Sequence, residues 1–121
     1  MTVDYDAIHT LIREVPKGEV ASYGMIASLI PGAGPRQTAT ALRSAPEGLP
    51  WFRIVTASGH MADHSGAEKQ RRLLKSEDVA FKKNGAVDWF AHRWRGPSKG
   101  WVEQSGLDIE TVMETIAGWG R

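Results

Sequence analysis

The chain has no cysteine among its 121 residues, and this absence removes several kinds of chemistry at once. Disulfides, thiolate metal sites and thiol nucleophiles all require a sulfhydryl side chain. Long apolar runs are also missing, because no stretch approaches the roughly 18–20 residues that a transmembrane helix needs. The first residues, MTVDYDAIHTLIREV, carry two aspartates before any basic side chain, unlike a secretory signal. We therefore expect a cytoplasmic protein with no membrane association.

The charge is nearly balanced overall, at +1, but it is unevenly distributed. Residues 1–100 contain fourteen Lys/Arg and ten Asp/Glu (+4), whereas residues 101–121 contain one and four (−3). Most of the excess lies in the second half of the main body: Lys69, Arg71, Arg72, Lys75, Lys82, Lys83, Arg93 and Arg95. Such a cluster is more often a solvated face than a nucleic-acid footprint, so charge alone assigns no partner.

The N-terminal third carries the signals of three helices. Helical apolar spacing predicts the first helix, which Pro16 and Gly18 stop: Ile8, Leu11, Ile12 and Val15. Ser22 is a suitable N-cap for a second helix, and PGAG over residues 31–34 predicts a tight connection. Pro35 suits the first turn of a third helix, because the donor that proline lacks would be unpaired there. The second and third helices predict a helix-turn-helix.

Shorter signals follow. Ile54 and Val55 favour an extended segment, and Asn84-Gly85 between two β-prone runs predicts a hairpin turn. Ser65 and Glu68 form an S-x-x-E capping box that opens a fourth helix over GAEKQRRLLKSE. We therefore expect a mainly α fold with a short β hairpin or extended segments.

The chain is predicted to divide into a main domain and a tail. The domain is expected to cover residues 1–97, before the Pro97–Gly100 connection. Residues 98–121 are expected to form a C-terminal extension with one amphipathic helix, whose helical spacing comes from four apolar residues: Ile109, Val112, Met113 and Ile116.

Two histidines and a serine are the candidates for metal or hydrolytic chemistry. His60 and His64 have H-x3-H spacing, which on a helix would place two ligands on one face. Turn signals flank both residues, so loop histidines are the favoured interpretation. Ser65 beside His64 lacks the sequence context of a nucleophilic serine. We expect no metal and no cofactor, and a histidine- or metal-dependent hydrolase is a minor alternative.

The third helix offers small and polar side chains, with Arg36 near its start. Such a surface suits close approach to a nucleic-acid backbone or groove. It equally suits a short exposed helix that packs through Ala41 and Leu42. From these residues alone both interpretations stay open.

Five segments, in order and with their spacing, resemble the DNA-binding domain of O6-alkylguanine-DNA alkyltransferases: VPKGEVASYGMIASLI, GPRQTATALRSAP, LPWFRIV, SGHMADHSGAEKQRRLL and SEDVAF. The resemblance runs from about Val15 to Phe81 and implies the winged helix-turn-helix-like fold of the C-terminal domain of those enzymes. They have Pro-Cys-His-Arg-Val where this chain has PWFRI over residues 50–54. Their cysteine takes the alkyl group and is activated through a histidine linked to a glutamate.

The residues at those positions imply a protein that is not an enzyme. Trp51 replaces the cysteine and Phe52 the histidine, and an indole nitrogen has no useful lone pair with which to accept an alkyl group. Ala45 stands at the position of an asparagine near the site, while Glu77 matches the glutamate. The pattern is similar to that of alkyltransferase-like proteins, in which tryptophan commonly replaces the cysteine and which bind alkylated DNA without repairing it. That branch usually keeps the histidine, so Phe52 is a departure.

The resemblance also implies binding residues. Tyr23 matches the tyrosine that rotates the target phosphate and helps the base leave the stack. Arg36 matches the arginine that fills the gap in the duplex. Further DNA contacts are implied for Gln37, Ala39 and Thr40 in the minor groove and for Arg43 at a phosphate. The implied lesion pocket consists of Tyr23, Trp51, Arg53, Ile54, His64 and Ser65.

The implied function is a non-enzymatic sensor that binds O6-alkylguanine in duplex DNA by minor-groove docking and base flipping. In this family such complexes hand lesions to nucleotide excision repair, so double-stranded DNA and a repair protein are the implied partners. We expect the chain to act as a monomer. The alternative is a helix-turn-helix transcription regulator, which would contact base edges of undamaged DNA in the major groove and normally dimerise.

Overall fold

In the computed structural model, which describes residues 3–61 and 66–119, the first helix begins at a capping aspartate. Asp4 accepts the Ala7 N–H at 3.2 Å and so satisfies one of the free donors at the start of α1 (Tyr5–Ile12). The buried face of α1 contains Ile8, Leu11 and Ile12, as the periodicity predicted.

The predicted helix-turn-helix is present as α2 (Tyr23–Ser28) and α3 (Pro35–Arg43). The Ser22 hydroxyl caps α2 by accepting the Met25 N–H at 3.1 Å, and Pro35 occupies the first turn of α3. The buried His9 of α1 joins α1 to α3 by a hydrogen bond, since its Nε2 lies 2.7 Å from the Ala41 carbonyl oxygen. A carbonyl only accepts, so this nitrogen carries the hydrogen.

A small parallel sheet joins two distant parts of the chain. In the sheet β1 (Ala21–Ser22) pairs with β2 (Ile54–Val55), with Ala21 opposite Ile54. On the other side of β1, the Val20 N–H donates to His92 O at 2.9 Å and the Trp94 N–H donates to Val20 O at 2.7 Å. The extended segment predicted at Ile54 and Val55 is therefore confirmed as a strand.

Three short elements complete the main domain. A 3₁₀ helix (Trp51–Arg53) leads directly into β2, α4 spans Ala67–Ser76, and α5 spans Trp89–His92. Gly66 is the N-cap of α4; the predicted cap, Ser65, lies outside the described residues.

The hairpin predicted at Asn84-Gly85 is reduced to a turn. Lys82 N–H donates to Ala86 O at 2.7 Å, and one antiparallel bridge joins Phe81 to Val87 without a strand on either side. Gly85 has a φ of +89°, which a residue with a side chain rarely adopts. The fold is mainly helical, and in the described ranges β1 and β2 are the only strands.

The tail contains two helices, and the prediction of a single helix is wrong. Helix α6 spans Lys99–Ser105 and α7 spans Ile109–Trp119. Gly106 ends α6 with a φ of +76°, and Asp108 accepts the Thr111 N–H at 3.1 Å near the start of α7. These are the ordinary stop and start signals of helices, so the break is local in origin.

The two faces of the sheet border two apolar clusters. The larger cluster includes Ala21, Ile54 and most of the buried apolar residues of α1 and α2, and the smaller one includes Val20 and Val55. Successive strand residues point to opposite faces, which explains how one short sheet serves both clusters. Within the described residues, 3–61 and 66–119, no helix is both long and apolar enough to cross a bilayer.

The tail belongs to the larger cluster. Trp101, Val102 and Val112 are all buried in it. The ring of Trp119 stacks on the buried ring of Trp94, with centroids 5.6 Å apart, and its Nε1–H donates to Ser28 Oγ at 3.0 Å. The tail therefore covers the core of the main domain.

We expect Val112→Ala to lower the free energy of unfolding of the full chain by about 1.5–3 kcal/mol, because Val112 is 1% exposed and its methyl groups contact the shared core. Its neighbour Met113 is 57% exposed, so Met113→Ala should change stability by less than about 0.5 kcal/mol. Urea denaturation of both variants measures the difference. Equal stabilities would contradict the packing of the tail on the domain.

Candidate nucleic-acid interface

A cavity of about 440 Å³ opens between α2, α3, the 3₁₀ helix and α4. Its lining is Tyr23, Ala39, Leu42, Arg43, Trp51, Ile54 and Gln70. Tyr23, Trp51 and Ile54 were predicted as pocket residues, and Ala39 and Arg43 were predicted on the DNA-binding helix. The fold therefore brings members of both predicted sets together at one opening.

Tyr23 lies at the first position of α2, where it is half-buried. Its carbonyl oxygen accepts the Thr38 hydroxyl at 3.3 Å, which ties the start of α2 to α3. Burial raises the pKa of the Tyr23 phenol above its ordinary value of 10.0. The hydroxyl is therefore protonated at neutral pH and can donate a hydrogen bond into the cavity or to a phosphate.

The outer surface of α3 is basic. Arg36 and Arg43 are exposed, at the first and last turns of the helix. Thr40 accepts from Arg43 Nη2 at 3.0 Å and donates to Arg36 O at 3.0 Å, so the Arg43 guanidinium is held along the helix. Two positive charges beside a cavity suit an anionic backbone.

Gln37 has a structural role in addition to the DNA contact that the resemblance implies. Its Oε1 accepts the Gly34 N–H at 2.8 Å and closes the first turn of α3. This bond is the half of a capping box in which the side chain at the third helical position accepts the N-cap amide. The Gln37 oxygen is thus used within the protein, and its amide hydrogens are the part left for a ligand.

Trp51 and Phe52 take different places. Their rings meet edge to face, with centroids 6.0 Å apart and planes at 89°. Phe52 is half-buried and packs against the smaller apolar cluster. Trp51 is half-buried and lines the 440 Å³ cavity, and it also borders a second, more open cavity of about 530 Å³.

Arg53 lies on the side of the second cavity, together with Arg13 and Lys69, and not among the lining of the first. The reason is its ion pair. Nε and Nη2 donate to the two carboxylate oxygens of Glu77 at 3.0 and 2.5 Å, and Nη1 donates to Val15 O at 3.0 Å. Arg53 thus anchors the 3₁₀ helix and lies outside the lining of the 440 Å³ cavity, although the resemblance places it in the lesion pocket.

Glu77 is the other half of this anchor, and it also accepts the Gly18 N–H at 3.2 Å. Burial by itself raises the pKa of the Glu77 carboxyl. The hydrogen bonds from Arg53 and Gly18 and the charges of Arg53 and Lys17 together outweigh burial, so the pKa lies below its ordinary value of 4.5. Glu77 is therefore ionised at neutral pH.

Gln70 is a site residue that sequence reasoning missed. It is 1% exposed, and its Nε2 donates to Phe52 O at 3.1 Å and to Ile54 O at 2.8 Å. Within the described ranges its Oε1 has no hydrogen-bond partner, a situation that costs about 1–3 kcal/mol in a closed core. A signal was available, because Gln70 precedes the fully buried Leu74 by one helical turn and so is a polar residue on a buried face.

The remaining predicted residues lie to one side or outside the described chain. His60 Nδ1 is 3.0 Å from Ser58 Oγ and its Nε2 is 3.4 Å from Asn84 O, so its ring is engaged with the turn around Gly85. His64 and Ser65, both predicted in the pocket, fall outside the described residues.

The chain was compared with known proteins. Residues 5–79, more than half of the chain, match the family model described as 6-O-methylguanine DNA methyltransferase, DNA binding domain. A DNA base-flipping protein of Vibrio parahaemolyticus serotype O3:K6 (strain AQ3810) is 31% identical over 93 residues, covering 73% of this chain and 92% of that protein.

Two solved structures share the fold. One is S. pombe Atl1 in complex with damaged DNA containing O6-carboxymethylguanine, with a TM-score of 0.63. The other is S. pombe ATL in complex with DNA, with a TM-score of 0.62. Each is 24% identical and covers 74% of this chain and 93% of its own. The predicted fold is thereby confirmed.

The Glu77 anchor predicts a pH dependence of stability. Because the folded-state pKa is below the unfolded value, the carboxylate stabilises the fold above about pH 4.5 and this contribution is lost as the pH falls through the folded pKa. We expect Glu77→Gln to lower stability at pH 7 by about 1.5–3 kcal/mol, since it breaks a charged hydrogen-bonded pair. The stability of the variant should fall less steeply than that of the wild type below pH 4.5.

Urea denaturation at pH 7 and at two values below pH 4.5 measures this difference. Glu103→Gln is the control, because it makes the same change at an exposed position of α6 that lies outside its first turn. Parallel acid limbs for the wild type and Glu77→Gln would contradict the anchor.

Proposed function

Because the chain belongs to the family of the 6-O-methylguanine DNA methyltransferase DNA-binding domain, we propose that it binds alkylated duplex DNA and flips an O6-alkylguanine into the 440 Å³ cavity. The observation that carries this proposal is the cavity itself. It has an aromatic and apolar lining, and the basic helix of a helix-turn-helix stands at its rim.

In the proposed complex α3 enters the minor groove. Ala39 and Thr40 present short side chains, which allow the helix to approach the sugar edges closely. Arg36 enters the base stack where the nucleotide has left, and Arg43 contacts a phosphate. Tyr23 lines the cavity beside α3, where its hydroxyl can turn the phosphate of the target nucleotide.

Two contributions to the free energy of binding favour the damaged base over an undamaged one. Flipping costs a few kcal/mol, and the cost is smallest for a base whose pairing is already weakened, as O6-alkylation does to guanine. Inside the cavity, the rings of Tyr23 and Trp51 and the side chain of Ile54 supply apolar surface to the base and its alkyl group.

We propose that this binding is reversible and involves no chemical step. In the resemblance, Trp51 takes the position of the alkyl-accepting cysteine of the transferases. The sequence contains no cysteine and therefore no thiol. The aromatic pair of Trp51 and Phe52 offers no nucleophile and no base. The base-flipping name of the Vibrio relative and the damaged DNA in the Atl1 complex support a binding role.

A bound lesion that is not repaired must be removed by another protein. We propose that the complex, formed by a monomer, marks the site for nucleotide excision repair. The alternative of a transcription regulator is less well supported, because the oxygen of Gln37 caps its own helix and Thr40 is bonded to Arg43. Few groups on α3 are left to contact base edges.

We expect the protein to bind a duplex with one O6-methylguanine at least tenfold more tightly than the matched guanine duplex. Arg36→Ala should weaken binding of the damaged duplex by about tenfold, which is about 1.4 kcal/mol, and Tyr23→Ala should reduce the preference for damage. Fluorescence anisotropy at a fixed, stated salt concentration measures both effects.

The control for Arg36→Ala is Arg72→Ala. Arg72 is exposed on α4, two residues from the buried Gln70 and therefore on a different face of that helix. This variant removes the same charge and should bind almost as well as the wild type. Equal affinity of the wild type for both duplexes would refute damage recognition.

Incubation with excess O6-methylguanine DNA should leave the mass of the protein unchanged, because the described lining of the cavity has no thiol and burial keeps the Tyr23 phenol protonated by raising its pKa. Intact-protein mass spectrometry before and after incubation tests this, and the digested DNA should still contain all of its O6-methylguanine. A stable gain of one methylene mass unit on the protein would contradict a binding role without transfer.

A further inference from the structure

We propose that the turn Lys82–Gly85 is a second DNA-binding element, whose two lysines contact the phosphate backbone of the duplex on one side of the flipped nucleotide. The inference rests on the proposed function, since it takes a duplex docked on α3 as given. The turn lies beyond residues 5–79, the segment that matches the family model.

The backbone of the turn is held by its own hydrogen bonds. The Lys82 N–H donates to Ala86 O at 2.7 Å, and the Gly85 N–H donates to Lys82 O at 3.0 Å. Asn84 Oδ1 accepts the Ala86 N–H at 3.0 Å, and Gly85 closes the turn with a φ of +89°. A turn that is already ordered loses less conformational entropy when it binds a ligand.

The turn is joined to the segment that follows the cavity. Ile54 lines the cavity, and two residues later the chain folds back, with the Thr56 N–H donating to His60 O at 3.0 Å. His60 Nε2 in turn lies 3.4 Å from Asn84 O. Two extended residues span about 7 Å, so the turn lies within about 20 Å of the cavity, about six base pairs at 3.4 Å per base pair.

The two lysines present uncompensated positive charge. Lys82 and Lys83 are both exposed. Over residues 3–61 and 66–119 the only ion pair is that of Arg53 with Glu77, so no carboxylate of the described chain neutralises either lysine.

A second row of cations lies behind the turn. Arg71 Nη1 donates to Gly85 O at 3.2 Å, and its guanidinium carbon lies 5.3 Å from the centroid of the Phe81 ring. Lys75 Nζ lies 5.8 Å from the same centroid. Because these two cations are engaged with the turn itself, they add to its positive potential while Lys82 and Lys83 stay available to a ligand.

A duplex docked on α3 brings a dense row of negative charges close to this turn. Lysines that contact phosphates release counterions from DNA, which makes the contact favourable and dependent on salt. Phosphates carry no information about the base, so such a contact adds affinity and fixes the direction of the duplex without selecting damage.

The first test removes the charge from the protein. We expect Lys82→Ala/Lys83→Ala to bind O6-methylguanine and guanine duplexes about three- to tenfold more weakly at low salt, with an unchanged ratio between the two. The slope of log K against log salt concentration should become shallower by about 1–2, since each phosphate contact contributes about 0.9. Fluorescence anisotropy over a series of salt concentrations measures both quantities.

Two matched variants control for charge and for the fold. Lys82→Arg/Lys83→Arg keeps both charges and should keep the wild-type salt slope. Arg72→Ala/Lys99→Ala removes the same total charge at two exposed positions away from the turn and should also keep it.

The second test removes the charge from the DNA. Two O6-methylguanine duplexes carry uncharged methylphosphonate linkages over about six base pairs, one on each side of the lesion, a length that matches the reach of the turn. The alanine variant should bind as well as the wild type to one of them and keep its deficit on the other. Effects of the modified linkages on other contacts act on both proteins and cancel in this comparison.

Two results would overturn the inference while leaving the proposed function in place. One is an alanine variant with wild-type affinity and salt slope, as expected if the lysines contact only solvent or another protein. The other is a deficit that persists on both modified duplexes or vanishes on both, which would show an effect of net charge and no contact on one side. A wild type without preference for O6-methylguanine over guanine would instead overturn the proposed function, and this ratio is measured independently of the salt slope.

Discussion

Helix α4 fixes the turn that carries Trp51, and the shape of the cavity depends on this fixation. Gln70 and Glu77 are seven residues apart, close to two helical turns, so both face the same way. Gln70 holds the backbone carbonyls on either side of Arg53, while Glu77 holds the Arg53 guanidinium and the Gly18 amide. The tryptophan ring is therefore placed by bonds to its neighbours, and its own indole is left to contact a ligand.

The contacts of Glu77 serve to support the turn. In the transferases that the sequence resembles, a glutamate acts through a histidine on the reactive cysteine. Here both oxygens of Glu77 bond to Arg53, and the neighbouring Phe52 has no group that can relay a proton. The carboxylate therefore supports the turn.

Local signals in the sequence were sufficient for much of the fold. The cap at Ser22 and the proline at the start of α3 correctly located the helix-turn-helix. The prediction of a single tail helix was wrong. It rested on the apolar spacing of α7, although Gly106 and Asp108 mark the break before that helix. Capping and turn chemistry act over a few residues and are therefore visible in the sequence.

The site depended more on contacts between distant residues. Tyr23, Ala39 and Trp51 could be assigned from the resemblance, and the structure brings them to one cavity. Sequence position could not show that Arg53 pairs with Glu77, 24 residues away, nor that Gln37 would cap its own helix. Gln70 could have been noticed as a polar residue on a buried face, but its carbonyl partners become evident only when α4 packs on the turn.

The bond between Trp119 and Ser28 has a consequence for the synthesis of this protein. It joins groups 91 residues apart, and Ser28 is the last residue of the first helix of the helix-turn-helix. While Trp119 is still in the ribosome, one face of the Trp94 ring is uncovered, and α2 lacks the hydrogen bond to Ser28. Contacts of such sequence separation form late in folding. The core beneath the helix-turn-helix is therefore complete only after Trp119 has been synthesised, and until then the growing polypeptide exposes apolar surface that a chaperone can recognise.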